Sequence, residues 1–285
     1  MNSSPWEQAI VRLRGTPGKE DVVRDCYFDD PLPAAASRFA ASDEWRAVRA
    51  LLPTIRAGGR KRALDLGAGR GITSYALAAD GWEVIALEPD PGQIVGAGAI
   101  AALAAETGMP IRVVSSYAED LPFADGAFDL VFARQVLHHA LHLDRLCSEV
   151  RRVRRPGGRF VAIREPVITT LADLDAFRRK HPLYGFYDGE NAYTLDAYCA
   201  ALAQGGFRTI DTMGVYDTVI NYFPMPYAQL CAGCREFLAP RIGSWLAEIF
   251  TSRRLPWGPG CVARVARRLS RLSIEPGRLY SFVAR

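Results

Sequence analysis

Apolar residues change their spacing at about residue 61 of this 285-residue chain. Before that point they recur at helical intervals, as Trp45, Val48 and Leu52 do. After it, short apolar runs alternate with amphipathic segments and glycine-rich turns, which favours a mostly parallel sheet covered by helices on both faces. The predicted strands are 63–66, 83–87, 111–115, 128–133 and 160–163, and the predicted helices between them are 72–79, 93–106 and 143–153.

The pattern becomes less regular beyond residue 166. It predicts helices at 171–180 and 195–203, a sixth strand at 208–215 and a last strand at 279–284. Between these strands, 217–277 is an insertion rich in aromatic and helical stretches, and it is a candidate substrate cap. Breaks at 31–33 and 56–60 interrupt the N-terminal part. Three regions are therefore expected, namely 1–60, 61–166 and 167–285.

A glycine-rich turn follows the first predicted strand. Gly67, Gly69 and Gly71 lie at alternate positions, and Asp65 precedes them. Glycines let the backbone turn tightly and let a ligand approach closely. The second strand ends at Glu88, where a carboxylate can accept hydrogen bonds from two ribose hydroxyls. Together these features predict a nucleotide-like cofactor at the carboxyl ends of the strands.

This turn resembles the first motif of the class I S-adenosylmethionine-dependent methyltransferases. Segments 117–123, 128–139 and 152–158 resemble that family's adenine-side motif, its fourth strand with the exit loop, and its turn into strand five. The pattern is most similar to small-molecule enzymes of type 11, typified by quinone-biosynthesis methyltransferases. The resemblance covers 61–166 and does not extend to 1–60 or 167–285.

The resemblance implies a Rossmann-like α/β fold with a central, mostly parallel, seven-stranded sheet. It also implies a helical lid at 1–60, an S-adenosylmethionine-binding core at 61–166, and S-adenosylhomocysteine as the product. In this family Glu88 would bind the ribose, the glycine loop would lie under the methionine part, and Glu119 would cover the adenine. The implied cofactor-binding residues are Asp65, Gly67, Ala68, Gly69, Glu88, Pro89, Ala118, Glu119, Arg134 and Gln135. Asp65 as a purely turn-stabilising acid, and Glu119 as a solvated loop charge, are the alternatives.

Two histidines are the candidate catalytic residues. His138 and His139 follow the fourth strand at the mouth of the predicted cleft, and histidine titrates nearest to neutral pH. The alternative is that they serve only in packing. Candidate substrate-binding residues lie outside the family match, in the N-terminal part and after strand five: Tyr27, Arg38, His181, Tyr184, Glu190 and Tyr193.

Composition excludes several other classes. The formal net charge is only +4, which is too small for the strong basic stripe of a nucleic-acid-binding domain. Six cysteines in 285 residues do not form a disulfide scaffold, and Cys231 and Cys234 lack the second pair that a zinc site would need. No metal site is therefore predicted. The N-terminus lacks the order of a signal peptide, so we expect a cytoplasmic protein without stable membrane insertion.

Two surfaces have open interpretations. The arginine-rich stretch 262–272 is predicted to form an amphipathic helix, which either covers a core or contacts a partner or anionic lipid. The aromatic-rich insertion is a candidate contact for a homodimer.

Two other functions share part of this evidence. An NAD-dependent oxidoreductase would have the same strand, turn and ribose-binding acid, but its glycines are spaced as Gly-x-Gly-x-x-Gly. A non-catalytic subunit that binds S-adenosylmethionine or S-adenosylhomocysteine would have the same motifs. Among methyltransferases, enzymes acting on nucleobase or glutamine nitrogens usually carry an acid or Asn followed by Pro-Pro after strand four, and this chain has Arg134-Gln135-Val136. A small-molecule acceptor is expected, with O-, C- and N-transfer all open.

Overall fold

A computed structural model describes residues 4–54, 61–187 and 189–285. The predicted break at 56–60, and the two ends of the predicted lid at 1–3 and 55–60, lie outside the described residues. The strands are β1 (Arg62–Leu66), β2 (Glu83–Leu87), β3 (Ile111–Val114), β4 (Phe128–Arg134), β5 (Arg154–Ile168), β6 (Tyr193–Thr194), β7 (Ile210–Met213) and β8 (Arg278–Ala284).

Four helices precede the sheet, and nine more lie between or beside its strands in the described parts of the chain. They are α1 (Pro5–Arg14), α2 (Glu20–Asp25), α3 (Leu32–Ala41), α4 (Asp43–Arg49), α5 (Ile72–Ala79), α6 (Ala97–Thr107), α7 (Leu143–Val153), α8 (Leu174–Lys180), α9 (Leu195–Gln204), α10 (Val219–Tyr222), α11 (Tyr227–Ile242), α12 (Ser244–Phe250) and α13 (Gly258–Leu272). Short 3-10 turns occur at Leu137–His139 and Leu171–Asp173.

The sheet has the order β3-β2-β1-β4-β5-β8-β7, and the two-residue β6 adds an eighth strand beside β5. Only β8 runs antiparallel to its neighbours, β5 and β7. The predicted mostly parallel sheet between helices is thus confirmed. Chain order reverses between β1 and β4, and in open α/β sheets such a switch point is where ligands bind, at the carboxyl ends of the strands.

The predicted boundaries were wrong chiefly at α6 and β5. Helix α6 begins at Ala97 rather than at residue 93, because Gly96 adopts φ +137° and its N–H donates to the carbonyl of Gly69. Strand β5, predicted at 160–163, extends from Arg154 to Ile168 and includes Pro156-Gly157-Gly158, whereas α7 ends at Val153 as predicted. A register shift against β4, between Phe128 and Leu130, accommodates the glycines.

Apolar side chains cover both faces of the sheet. On one face, residues of α7 and α9 such as Val150 and Leu202 pack against Val131 and Phe160 of the central strands. On the other face, Phe39 and Trp45 of the N-terminal helices pack with Phe132. Burial on both faces explains why the central strands are almost continuously apolar.

The N-terminal helices are fastened to the cofactor loop by Arg70, which occupies the position between the second and third motif glycines. Its guanidinium donates to the carbonyls of Tyr27, Asp29 and Ile94, and it forms an ion pair with Asp30 at 2.5 Å. The side chain is only 4% exposed. Arg70 therefore joins the segment after α2, the glycine loop and the loop before α6.

The insertion before β8 forms its own small core. Leu230, Cys231 and Cys234 of α11 are buried against Val262 and Ala266 of α13. The apolar stripe of α13 thus covers a core, while arginines of the same helix remain exposed. The function of the insertion as a substrate cap stays a prediction. Within the described residues, no helix combines the length and the apolar character needed to cross a bilayer.

We expect Arg70→Ala to loosen the N-terminal helices without unfolding the sheet. Hydrogen bonds to a charged group contribute roughly 1.5–3 kcal/mol, so local opening of 20–31 should become at least tenfold more frequent. Amide hydrogen exchange read by mass spectrometry checks this. Arg155→Ala is the matched control, because Arg155 pairs with Asp129 away from these helices. Equal exchange in 20–31 for both variants would contradict the assignment.

Candidate active site

The glycine loop lies at the carboxyl end of β1 and adopts a backbone that favours glycine. Gly67, Gly69 and Gly71 have φ of +54°, +57° and +81°. A Cβ on Gly67 would stand 2.9 Å from a methyl group of Val136, so the loop is packed tightly against the exit of β4. At Gly69 a Cβ would meet no atom within 4 Å, so open space adjoins the loop there.

Glu88 connects this loop to the end of β2. Its Oε2 accepts the N–H of Gly69 at 2.7 Å, and its Oε1 accepts the N–H of Asp90 at 3.0 Å. The side chain is largely buried, and burial raises the pKa of Glu88 although the two N–H donors oppose that rise. The structure thus places the predicted ribose acceptor directly beside the open space at Gly69. Pro89 follows it and is half-buried.

Asp65 is enclosed below the loop. It is 1% exposed, and its Oδ2 accepts the hydroxyl of Ser74 on α5 at 2.6 Å. Burial raises the pKa of Asp65 to about 7, although the Ser74 hydrogen bond lowers it. The contact ties β1 to α5, as a turn-stabilising acid would.

The remaining predicted cofactor residues lie on the neighbouring loops. Ala118 is half-buried against the core, and Glu119 accepts the N–H of Leu141 at 3.1 Å, which joins the β3 loop to the β4 exit. Arg134 is buried and pairs with Glu44 of α4 at 2.9 Å. Gln135 has a positive φ of 57°, and its side chain contacts that of Arg134.

The exit of β4 is held by one buried carboxylate, Glu165. It is 0% exposed and accepts the backbone N–H groups of Val136, Leu137 and His138 at 2.9, 3.1 and 3.3 Å. It also contacts Nδ1 of His138 at 2.8 Å. Glu165 therefore fixes both the backbone and the ring orientation of the candidate catalytic turn.

Glu165 belongs to a group of five side chains that we call the histidine cluster. Its members are Glu165, His138, His139, His181 and Glu190. Oε2 of Glu190 lies 3.7 Å from Nε2 of His138 and 3.6 Å from Nε2 of His181. The rings of His138 and His139 are 3.9 Å apart. The structure thus joins the predicted catalytic pair to two of the predicted substrate residues.

His138 and His139 differ in their charge near pH 7, because their pKa values are shifted in opposite directions. Burial opposes a charge on His138, but Glu165 and Glu190 outweigh it and raise the pKa of His138 to about 9. Surrounding protein and the charge on His138 lower the pKa of His139 to about 4, although its ring remains accessible at the surface. His139 is therefore neutral near pH 7 and keeps an unshared electron pair on its ring.

The N-terminal helix α1 reaches over this cluster. The ring of Trp6 lies 6.5 Å from that of His139 and 5.2 Å from that of Tyr187, both edge-on. The start of α1 also binds the loop after β2, where Ser4 donates to Asp90 and Glu7 accepts the N–H of Ile94. The predicted lid is thus in contact with both the cofactor side and the histidine side.

The other predicted substrate residues are dispersed. Tyr193 donates its hydroxyl to the carbonyl of Ala140 at 2.8 Å, and Tyr184 is 57% exposed. Tyr27 is buried below the guanidinium of Arg134, and Arg38 pairs with Asp29 at 2.7 Å. Tyr27 and Arg38 thus support the lid in this structure, and their contact with a substrate stays a prediction.

Sequence reasoning missed Glu165, Glu44 and Trp6. Glu165 stands just beyond the predicted strand 160–163, and a polar residue at the carboxyl end of a parallel strand is the signal that singled out Glu88. No comparable signal marks Trp6 or Glu44, because the N-terminal helices carry no motif.

Comparison with known proteins agrees with this geometry. A family model described as a methyltransferase domain matches residues 64–162. An uncharacterised methyltransferase of Mycobacterium sp. (strain JLS) is 38% identical over 117 residues, which are 41% of this chain and 42% of that protein. A demethylmenaquinone methyltransferase of Beutenbergia cavernae is 36% identical over 143 residues, 50% of this chain and 53% of that protein. The aligned parts thus span only about half the length of these relatives.

Solved structures show the same fold at low identity. The [4+2]-cyclase SpnF superimposes with a TM-score of 0.55 at 23% identity, covering 85% of this chain and 80% of that one. Geranyl diphosphate C-methyltransferase from Streptomyces coelicolor A3(2) superimposes with a TM-score of 0.54 at 18% identity, covering 91% and 86%. Residues 64–162 thus match the model of a methyltransferase domain, and the chain shares its fold with these solved structures.

Asp65 leads to a prediction about stability and pH. Its pKa is about 7 in the fold and near 3.8 in an unfolded chain, so between these values the folded state holds a proton that the unfolded state has lost. Stability must therefore fall as pH rises through this window. Between pH 5 and 7 the wild type should lose about 2 kcal/mol relative to Asp65→Asn, measured by urea unfolding. Asp175→Asn, in an exposed position of α8, should follow the wild-type profile, and a wild type that tracks Asp65→Asn would refute the assignment.

Proposed function

We propose that this protein transfers the methyl group of S-adenosylmethionine to a small-molecule acceptor in the cytoplasm. The observation that carries the proposal is the meeting of Glu88 with the backbone of Gly69 beside open space, at the switch point of the sheet. Glu88 would bind the ribose hydroxyls, and the loop would approach the methionine part closely. The six free cysteines agree with a reducing compartment.

The methyl group of a sulfonium is already reactive, so the protein mainly has to align the acceptor atom with it. An acceptor atom forms a bond to the methyl carbon as the bond from that carbon to the sulfonium sulfur breaks, which leaves neutral S-adenosylhomocysteine. Holding the two reactants in line can contribute roughly 7–11 kcal/mol. We propose that His138 and His139 lie on the acceptor side of the β4 exit, and that His139, which is neutral near pH 7, takes up the proton of the acceptor where one must leave.

Methyl transfer from labelled S-adenosylmethionine to a small-molecule extract tests the activity directly. Labelled product supports the proposal. Binding of the cofactor without any transfer would favour the non-catalytic subunit, and tighter binding of a nicotinamide cofactor would favour the oxidoreductase.

Glu88→Gln should weaken S-adenosylmethionine binding by roughly 10–100-fold, because hydrogen bonds to a charged acceptor contribute about 1.5–3 kcal/mol. Titration calorimetry measures this. Glu83→Gln is a matched control at the opposite end of the same strand, where the side chain is 52% exposed and lies 3.9 Å from Arg62. Equal affinities for the two variants would remove Glu88 from the cofactor site.

His139→Ala should lower the methyl-transfer rate roughly 10²-fold, since a poorly aligned acceptor can lose that much. Affinity for S-adenosylmethionine should stay within twofold of the wild type, because His139 lies on the acceptor side. His142→Ala removes an exposed histidine three residues further on and should leave both quantities unchanged. A wild-type rate in His139→Ala would exclude this residue from the mechanism.

A further inference from the structure

We propose that the histidine cluster is a binding site for one divalent transition-metal ion of the zinc class, with His138, His139 and Glu190 as its ligands. The inference rests on the proposed function, because the ion would act on the acceptor of that reaction. Ring nitrogens of the two histidines and a carboxylate oxygen of Glu190 all lie within 4.8 Å of one another. Two histidines and one carboxylate with open positions are a recurrent ligand set for such ions.

The spacing within the cluster suits ligands of a common ion better than hydrogen bonds. Nε2 of His138 and Oε2 of Glu190 are 3.7 Å apart, whereas a nitrogen–oxygen hydrogen bond is usually about 2.7–3.2 Å long. Two ligand atoms that each lie about 2.1 Å from one ion, at tetrahedral or wider angles, are separated by roughly 3.5 Å. The two ligand atoms, Nε2 of His138 and Oε2 of Glu190, would need to approach each other only slightly to reach that separation.

The surroundings of the ligands have the features of a metal site. Nδ1 of His138 contacts the buried carboxylate of Glu165 at 2.8 Å, which leaves Nε2 directed at Glu190. Such a carboxylate behind a ligating histidine fixes its tautomer and orientation. His181 accepts the N–H of Leu183 through Nδ1 at 3.4 Å, so its Nε2 carries hydrogen and is directed at Glu190. A protonated Nε2 has no electron pair for an ion, so His181 is not one of the ligands.

Charge and access also favour a cation. Two buried carboxylates, Glu165 and Glu190, face each other across His138, and both are at most 4% exposed. A divalent ion that binds Nε2 of His138 would take the place of the proton that these carboxylates hold there. His139 remains accessible, so an ion could enter from its side. Trp6 and Tyr187 border that side and would limit the access of water.

Such an ion would act as a Lewis acid towards the acceptor. An acceptor hydroxyl bound at an open position would lose its proton to water more readily, and its oxygen would then be held in place for the methyl group. The acceptor class implied is a molecule with a hydroxyl or enol oxygen that can bind a metal. No change of oxidation state is involved.

Cobalt(II) is a suitable probe because its absorption spectrum reports its ligands. We expect the metal-free, full-length protein to bind one Co²⁺ per chain, with weak visible bands typical of nitrogen and oxygen ligands. Glu190→Gln and His139→Ala should each weaken that binding at least tenfold, since even the loss of a residue behind a ligand costs roughly 10–100-fold. His142→Ala should bind Co²⁺ like the wild type. Because His139 is accessible at the surface, His139→Ala should fold like the wild type. Circular dichroism checks this.

Several outcomes would overturn the site. These are no saturable Co²⁺ binding, affinity in both cluster variants equal to that of His142→Ala, or the intense charge-transfer band of a thiolate ligand, which would assign the ion to cysteine. A parallel titration with S-adenosylmethionine separates this inference from the proposed function. Protein that binds the cofactor and no Co²⁺ contradicts only the metal site, whereas protein that binds Co²⁺ and no cofactor contradicts only the proposed function.

Discussion

The buried carboxylate of Glu165 is the contact on which the histidine cluster depends. Three consecutive backbone N–H groups at the β4 exit point at it, and so does the ring of His138. A carboxylate with no exposure to water needs such donors, because burying an unpaired charge is costly. The same contact positions His138 relative to Glu190. The chain thus uses a β5 residue to shape a turn that belongs to β4.

A second constraint joins the lid to the cofactor loop. Arg70 stands within the glycine motif and binds the carbonyls of the segment that follows α2, while Glu7 of α1 binds the loop before α6. Trp6 of the same helix contacts His139. Movement of the N-terminal helices is therefore coupled to both the cofactor side and the acceptor side.

The strands and turns of residues 61–166 were largely predicted because the signals there are local. Alternating apolar segments, the alternate glycines and Glu88 all lie within single strand-and-turn units, so periodicity and turn chemistry define them. Even there, helix α6 begins four residues after its predicted start, at Ala97 instead of residue 93. The backbone bends at Gly96, where the N–H donates a hydrogen bond to the carbonyl of Gly69, which is distant in sequence. Local propensity cannot anticipate that contact.

The acceptor side was predicted only in part because its residues come from separate segments. His138 follows β4, Glu165 ends β5, and Glu190 lies on an irregular stretch near His181. Each was visible as a polar residue, but only the sheet order brings them together. The candidate ligands of the proposed ion also come from two separate segments, His138 and His139 from one and Glu190 from the other, whereas regular ligand spacing marks sites within one segment.

In the proposed arrangement, the open space at Gly69 and Glu88 holds the cofactor, and the sulfur of the cofactor is directed at the histidine cluster. A crystal structure with S-adenosylhomocysteine tests it most directly. We expect both ribose hydroxyls within hydrogen-bond distance of Glu88, and the sulfur on the side that faces His139. A ligand that binds away from Glu88, or one whose sulfur faces away from His138 and His139, would contradict the account.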